Sequence, residues 1–319
     1  MSALARYVKA MGAEVAGYDR SASVLTKQLE AEGIDITYID NRSEIADGFK
    51  VVGDDLLVVR TPAVPALSDI STYFRESGAE VVKRSQFLAQ IAAAKKCIAV
   101  AGTHGKTTTS SILAHILASS EVGCTAFVGG IMTTYKSNVI INTQSDYVVL
   151  EADEFDRSFH HLNPQMAIIT STDADHLDIY QDNKTFAKAF SDFAGRVLLD
   201  GLLLRHESVP CFDVEVSQNS YDIDGGDLRA IDVHVSQGQY HFNLEYKEYE
   251  LSGLTLPLPG RHNVLNCLSA CGVALELGVS EEELRLALAS YKGVKRRFEL
   301  IYRSASRVFI DDYAHHPTE

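Results

Sequence analysis

Blocks of apolar and polar positions alternate along the chain, starting at its first residues. Apolar side chains recur at helical spacing in residues 2–11, Gly12 ends that helix, and residues 15–19 form a short strand that closes on Asp19. In a dinucleotide-type fold this order is the back half of a β-α-β unit, whose acid reaches a ribose. We therefore predict a Rossmann-like domain over residues 1–94 that lacks its first strand. A domain that simply opens with a helix is the alternative.

From residue 95 onward the pattern alternates more regularly. Strands are predicted at residues 97–101, 147–150, 166–170 and 197–199, and helices at residues 107–118, 186–194, 263–277 and 281–289. Such alternation predicts an α/β domain with a mostly parallel sheet and helices on both faces. Residues 208–258 are richer in alternating Val, Tyr and Phe, which favours an antiparallel extension. We assign residues 95–294 to a central domain and residues 295–319 to the start of a C-terminal α/β domain.

Composition and charge narrow the function classes. The 319 residues are 46% apolar, and 29 basic against 43 acidic side chains give a net charge of −14, so a nucleic-acid partner is not expected. The five cysteines contain no C-x-x-C pair, which argues against a disulfide framework and a zinc site and favours a reducing cytoplasm. No run reaches the ~18 apolar residues of a membrane span, and no signal peptide is visible, so we expect neither export nor membrane anchoring.

The strongest chemical signal is A-G-T-H-G-K-T-T-T at residues 101–109, between a predicted strand and helix. Its glycines let backbone N–H groups converge on phosphate, Lys106 adds a full charge, and the Thr107 hydroxyl can bind Mg²⁺. Val100 stands where the general pattern has its first glycine, so the loop is a shortened variant. The predicted nucleotide-binding residues of the loop are Gly102, Thr103, Gly105, Lys106, Thr107 and Thr108. A glycine-rich turn with an incidental lysine is the alternative.

Acidic clusters follow two predicted strands. E-A-D-E-F-D begins at Glu151, directly after strand 147–150, and D-A-D-H-L-D contains His176 and follows strand 166–170. Because ligands of open α/β sheets sit beyond the carboxyl ends of the strands, the first cluster should reach the metal held by Thr107, and His176, at the same edge, could bind a second metal. Glu151 and His176 are therefore candidate metal ligands. As isolated features, these runs would be a solvated turn and a structural histidine.

Three weaker signals lie further along the chain. Asn263 and Asn266 fall on one helix face and can hydrogen-bond a base edge, although helix capping by asparagine is the commoner explanation. The basic run that ends at Arg297 is equally consistent with a phosphate clamp and with a basic surface linker. D-D-Y-A-H-H-P at residues 311–317 brings acids and histidines to another strand end.

Six motifs in this order resemble those of the Mur ligases of peptidoglycan synthesis. They are A-x-G-T-x-G-K-T-T, E-A-D-E-x-D, D-x-D-H-L-D, G-x-H-N-x-x-N, R-R-F and D-D-Y-x-H-H-P. Residues 159–164 and 175–180 further resemble the branch of the family that adds L-alanine. The resemblance implies a ligase of cell wall biogenesis, and hence of cell shape and division. ATP would phosphorylate the lactyl carboxylate of UDP-N-acetylmuramate, and the amine of L-alanine would attack the acyl phosphate.

The resemblance also implies a role for each candidate residue. Lys106 would steady the transferring phosphate, Thr107 and Glu151 would hold one Mg²⁺, and Glu151 and His176 would hold a second. The other implied contacts are Asn263 and Asn266 with ATP, Arg297 with the γ-phosphate, Asp312 with nucleotide or amine, His104, His315 and His316 with the muramyl substrate, and Asp19 with the uridine end. Replacing Lys106 with Ala is expected to slow turnover while leaving the fold intact.

Two rival functions and one expectation about the ends of the chain complete the sequence-based picture. A ligase that adds a recycled murein tripeptide to the same sugar shares many of these motifs, and a nucleotide-binding module without catalysis would share the loop. The resemblance places the family's first strand and G-x-G-G loop before Met1 and most of the C-terminal domain after Glu319. We therefore expect residues 1–319 alone to bind ATP weakly and to form no ligation product.

Overall fold

A computed structural model describes residues 1–65, 67–154, 158–173, 183–304 and 306–314, without the side chains of residues 158, 183 and 303. The chain divides into two compact units, Met1–Ile91 and Ala92–Glu319. The sequence-based prediction of a mixed α/β protein is confirmed. Residues 295–319 fall within the second unit, and a separate C-terminal domain beginning there stays a prediction.

The first unit alternates helices and short strands. Its helices are α1 (Ser2–Ala10), α2 (Val24–Ala31), α3 (Asp69–Glu76) and α4 (Arg84–Ala93), the last of which runs into the second unit, and its strands are β1 (Ala16–Tyr18), β2 (Asp35–Thr37), β3 (Leu57–Arg60) and β4 (Glu80–Lys83). Strand β1 pairs in parallel with β2, and β3 pairs in parallel with β4. Parallel strands joined through helices are what a Rossmann-like domain requires. The predicted helix–glycine–strand opening is therefore present.

The second unit is built on one large sheet. In the described part of the chain it has ten strands: β5 (Lys96–Ala101), β6 (Thr125–Met132), β7 (Ser137–Ile140), β8 (Tyr147–Glu151), β9 (Met166–Ile169), β10 (Leu202–His206), β11 (Ser217–Ile223), β12 (Leu228–Ser236), β13 (Gln239–Tyr246) and β14 (Tyr249–Leu256). Their order is β14-β13-β12-β11-β10-β9-β5-β8-β6-β7. The described pairs β6–β8, β8–β5, β5–β9, β9–β10, β10–β11 and β11–β12 are parallel, whereas β6–β7, β12–β13 and β13–β14 are antiparallel.

Helices cover the sheet and enclose the core. They are α5 (Lys106–Ala118), α6 (Asn183–Ala194), α7 (Arg261–Glu276) and α8 (Glu281–Ser290). Helices α5 and α7 are buried along most of their length, and the buried Cys267 and Cys271 are small core residues of α7. A separate antiparallel hairpin of β15 (Glu299–Arg303) and β16 (Val308–Asp311) leaves most of its apolar side chains exposed.

The structure corrects two of the predicted elements. The predicted strand at residues 197–199 is wrong: these residues form a turn, and the strand begins at Leu202. The turn depends on Gly201, because a Cβ there would lie 1.9 Å from the Gln165 carbonyl oxygen. The antiparallel extension begins only at β12, since β11 pairs in parallel with both of its neighbours.

None of the helices in the described ranges is long and apolar enough to cross a bilayer.

Candidate active site

The phosphate loop connects the buried strand β5 to helix α5 through two glycines in left-handed conformations. Gly102 has a φ of +130° and Gly105 a φ of +82°. A Cβ on Gly102 would lie 2.1 Å from Thr170 Oγ1, and a Cβ on Gly105 would lie 2.5 Å from Asn266 Oδ1. Backbone conformation and close packing therefore both require glycine at these positions. The loop brings the N-terminus of α5 to the sheet edge where β8 and β9 also end.

The loop is fixed to the segment that follows β9. Thr103 N–H donates to the Ser171 carbonyl at 3.2 Å, and the Thr103 hydroxyl donates to the Asp173 carbonyl at 2.8 Å. The Thr170 hydroxyl donates to the His104 carbonyl, and His104 N–H donates to Ser171 Oγ at 3.0 Å. The His104 ring is largely buried, with Nε2 3.9 Å from Asp173 Oδ2. These hydrogen bonds to residues 170–173 fix the conformation of the loop.

The Lys106 side chain is turned toward buried protein groups. Its Nζ donates to the Gly102 carbonyl at 2.6 Å and to both carboxylate oxygens of Glu154, at 2.8 and 2.9 Å. Glu154 is almost completely buried, with a side-chain exposure of 1%. Burial raises the pKa of Glu154, whereas the Lys106 ammonium group opposes that rise. The two residues form a buried ion pair that joins the loop to the segment after β8.

Glu151 lies on the other side of the loop, where β8 ends. Its Oε1 accepts from Gly129 N–H at 2.5 Å and from the Ser110 hydroxyl at 3.2 Å, and its Oε2 accepts from the Thr107 hydroxyl at 3.2 Å. Burial raises the pKa of Glu151, an effect opposed first by the Gly129 hydrogen bond and then by the charge of Lys106. The arrangement places a carboxylate and a hydroxyl side by side at the start of α5.

Asn263 and Asn266 lie on the first turns of α7, against the loop. The Asn266 amide donates to Asn263 Oδ1 at 3.3 Å, and Asn266 Oδ1 accepts from the Thr109 hydroxyl at 3.2 Å. The Asn263 amide donates to the Pro259 carbonyl at 2.6 Å, so it also stabilises the turn that precedes α7. The two asparagines therefore connect α7 to α5 through the Thr109 hydrogen bond. Both also line the cleft into which the loop opens.

The loop opens into a cleft of about 580 Å³. Arg297 and Asp312 reach its wall, and the partly exposed aromatic ring of Phe298 (37%) lies at its rim. The guanidinium of Arg297 lies 5.8 Å from the centre of the Tyr313 ring. His262 also lines the cleft, where burial lowers its pKa and the charge of Asp312 opposes that effect.

Most of the predicted site residues meet in this cleft. Its lining includes Thr103, His104, Gly105, Lys106, Thr107, Thr108, Glu151, Asn263, Asn266, Arg297 and Asp312, with Gly102 in the same loop. His176, His315 and His316 lie outside the described residues. Asp19 belongs to the first unit, where it follows β1 and its carboxylate accepts from Ser21 N–H at 3.2 Å.

Several residues that line the cleft or contact its lining residues were not predicted from sequence. They are Ser110, Gly129, Glu154, Thr170 and His262. Glu154 stood within the E-A-D-E-F-D run, which could have pointed to it. No cluster of three or more His, Cys, Asp or Glu side chains suited to a metal ion occurs among the residues that the structure describes.

Comparison with known protein families gives two matches. Residues 100–274 match the model of the Mur ligase middle domain, and residues 1–96 match that of the Mur ligase family, catalytic domain. The chain is 45% identical to the UDP-N-acetylmuramate--L-alanine ligase of Porphyromonas gingivalis, covering 100% of this chain and 71% of the relative. Identity to the enzyme of that name from Christiangramia forsetii is also 45%, with 100% and 70% coverage.

Solved structures with similar folds carry two different names. The UDP-N-acetylmuramate-alanine ligase of Thermotoga maritima superimposes with a TM-score of 0.84 at 27% identity, covering 100% of this chain and 72% of that one. The UDP-N-acetylmuramate:L-alanyl-gamma-D-glutamyl-meso-diaminopimelate ligase of Neisseria meningitides gives a TM-score of 0.79 at 25% identity, with coverage of 93% and 96%.

Proposed function

The chain belongs to the Mur ligase family, and we propose that it adds L-alanine to the lactyl carboxylate of UDP-N-acetylmuramate in peptidoglycan synthesis. Membership of the family implies the use of ATP. The observation that carries the proposal is the convergence of the phosphate loop, with Lys106 and the paired oxygens of Thr107 and Glu151, on one cleft. The five free cysteines fit action in the reducing cytoplasm.

The proposed reaction has two steps, because a carboxylate is a poor electrophile. A lactyl carboxylate oxygen attacks the γ-phosphorus of ATP, the bond to the β-phosphate oxygen breaks, and ADP leaves. The amine of L-alanine then attacks the acyl carbon, inorganic phosphate leaves with its bridging oxygen, and the amine loses a proton. Both steps bring anions together, so cationic groups must be placed in advance.

The chemistry of the donor set fits Mg²⁺, which prefers oxygen ligands. The Thr107 hydroxyl and the Glu151 carboxylate would hold one ion, and His176 with Glu151 would hold a second, as the family resemblance implies. Hydrogen bonds from Ser110 and Gly129 already orient the Glu151 carboxylate toward Thr107. Bound Mg²⁺ supplies charge neutralisation for the transferring phosphoryl group.

The chain's own residues would orient the substrates around that centre. The loop N–H groups and Lys106 bind the β- and γ-phosphates, and Arg297 reaches the γ-phosphate from the cleft wall. Asn263 and Asn266 present amides toward the nucleotide, and Asp312 orients nucleotide or amine. We assign contacts with the muramyl part of the substrate to His104, His315 and His316, and a place near the uridine end to Asp19.

The test is product formation by mass spectrometry. The complete gene product is incubated with MgATP and UDP-N-acetylmuramate, with either L-alanine or the tripeptide L-alanyl-γ-D-glutamyl-meso-diaminopimelate as the amine. We expect the alanine adduct with stoichiometric ADP and phosphate, and little tripeptide adduct. A dominant tripeptide product would assign the second activity, which the similarity to the Neisseria structure makes the relevant rival. ATP binding without either product would indicate a non-catalytic module.

A substitution at Glu151 tests the metal assignment. Glu151→Gln keeps the size and one acceptor oxygen but removes the charge, so the Mg²⁺ concentration for half-maximal phosphate release should rise by at least about 10-fold. Glu282→Gln, which removes a charge from the exposed surface of α8, is the matched control and should leave the Mg²⁺ dependence unchanged. An unchanged Mg²⁺ dependence in Glu151→Gln would remove Glu151 from the metal site.

A further inference from the structure

The loop lysine of this protein is already bound by the protein itself. Within the described residues, the Lys106 ammonium group donates to the Gly102 carbonyl and to both oxygens of Glu154 at 2.6 to 2.9 Å, and it also lies 3.5 Å from the Thr103 carbonyl. An ammonium group has three protons to donate, so the three short contacts already use its capacity. A phosphate that binds Lys106 must therefore share or displace one of these contacts.

The burial of the pair makes the contact persistent. The Lys106 side chain is 16% exposed and that of Glu154 only 1%. A carboxylate so deeply buried is stable in its charged form only beside a partner such as this ammonium group. Glu154 follows β8 by three residues, whereas Glu151 at the strand end contacts the opposite side of the loop through Thr107. The two carboxylates therefore contact adjacent loop residues and can have different tasks.

We propose that Glu154 is a positioning residue for Lys106, holding its ammonium group in the loop before ATP binds and fixing its position while the phosphoryl group transfers. The proposal rests on the proposed ligase function for the identity of the catalysed step. Glu154 touches neither phosphate nor substrate in this role. It acts through two hydrogen bonds on one lysine, whose remaining freedom is limited by the Gly102 carbonyl.

This role predicts that neutralising Glu154 strengthens ATP binding but lowers turnover. Before ATP binds, the Glu154 carboxylate competes with phosphate for Lys106 and adds a negative charge near a polyanion, so its neutralisation should tighten ATP binding. During transfer, a lysine that is no longer held cannot keep its charge at the reacting centre, so turnover should fall. General structural damage would instead weaken both. The split between the two quantities therefore distinguishes positioning from folding.

The binding half of the test uses the chain itself. Isothermal titration calorimetry with Mg²⁺ and a non-hydrolysable ATP analogue measures Kd for the unsubstituted protein and for Glu154→Gln. We expect Kd to fall by about 3- to 10-fold, the size of one relieved charge interaction. The matched control is Asp146→Asn, which removes one exposed carboxylate just before β8 begins, at the opposite end of that strand, and should leave Kd unchanged.

The turnover half uses the complete gene product. Glu154→Gln should lower kcat by about 10- to 100-fold at saturating substrates, and Glu154→Asp, which restores the charge one methylene shorter, should recover part of the loss. For Glu154→Gln, a kcat within two-fold of the unsubstituted protein, or a Kd that is unchanged or raised, overturns the proposal. If Glu154→Gln does not fold, Glu154→Asp decides alone: unchanged Kd with lowered kcat supports the proposal, and unchanged kcat overturns it.

These outcomes separate the proposal from the function on which it rests. If the unsubstituted protein ligates neither amine, the proposed function fails by that result alone. The effect of Glu154→Gln on Kd is still measurable in that case, and a Kd that is unchanged or raised then overturns the interaction with Lys106. If the unsubstituted protein is active, kcat and Kd together decide the role of Glu154.

Discussion

Replacing Lys106 with Met should reduce ligation by at least about 10³-fold and should also destabilise the fold by about 3–5 kcal/mol. The first effect follows from the loss of the charge assigned to the transferring phosphate. The second follows from Glu154, whose carboxylate would remain buried after losing the ammonium group of Lys106. The expectation from sequence alone, loss of turnover with an intact fold, omitted this second cost because the partner of Lys106 was not known. Turnover and urea-induced unfolding measure the two effects.

A double substitution separates the two effects. Lys106→Met combined with Glu154→Gln removes the buried charge together with its partner, so most of the lost stability should return while turnover stays as low as in the single variant. An exposed ion pair, Lys188 with Asp192 on α6, serves as the control, since breaking it should change stability by less than about 1 kcal/mol. Unfolding of Lys106→Met at an unchanged urea midpoint would contradict the assignment of a stabilising buried pair.

Replacing Gly102 with Ala should weaken nucleotide binding strongly by displacing the phosphate loop. The added Cβ would lie 2.1 Å from Thr170 Oγ1 and 2.9 Å from the backbone nitrogen of Ser171, and an L-residue at a φ of +130° is itself strained. Because the loop is held by the segment after β9, the overlap must move one against the other. We expect ATP affinity to fall by at least about 100-fold, as for a misplaced reacting group. Calorimetric titration with MgATP is the measurement.

The control for Gly102→Ala separates strain from overlap. Gly78 also has a positive φ, +80°, but a Cβ there would meet nothing within 4 Å. Gly78→Ala should therefore cost about 1–2 kcal/mol of stability and leave ATP affinity unchanged. Comparable affinity in Gly102→Ala and the unsubstituted protein would show that the loop can accommodate a Cβ and does not depend on this close packing.

The part of the site that could be predicted from sequence is the part encoded by neighbouring residues. The apolar run 97–101, the glycines and Lys106 lie within one strand–loop–helix segment, so local pattern determines the fold of this segment. The placement of Glu151 followed from one further rule, that parallel strands end at the same sheet edge. Both inferences needed no knowledge of which strands are neighbours.

The contacts that could not be predicted join residues far apart in sequence. Glu154 and Lys106 are separated by 48 positions, and the Gly129–Glu151 hydrogen bond depends on β6, a strand the pattern did not reveal. The misplaced strand at residues 197–199 has a cause of the same kind. The apolar residues on both sides of Gly201 look alike in sequence, and only the close approach of Gly201 to Gln165 determines where the turn falls.

The aromatic rim of the cleft has a consequence for spectroscopy. The chain contains 14 tyrosines and no tryptophan, so its intrinsic emission carries no indole contribution. Phe298 lies at the cleft rim with part of its ring open to solvent. An indole introduced by Phe298→Trp would be the sole one in residues 1–319, and its fluorescence would report on what enters the cleft without background from other sites.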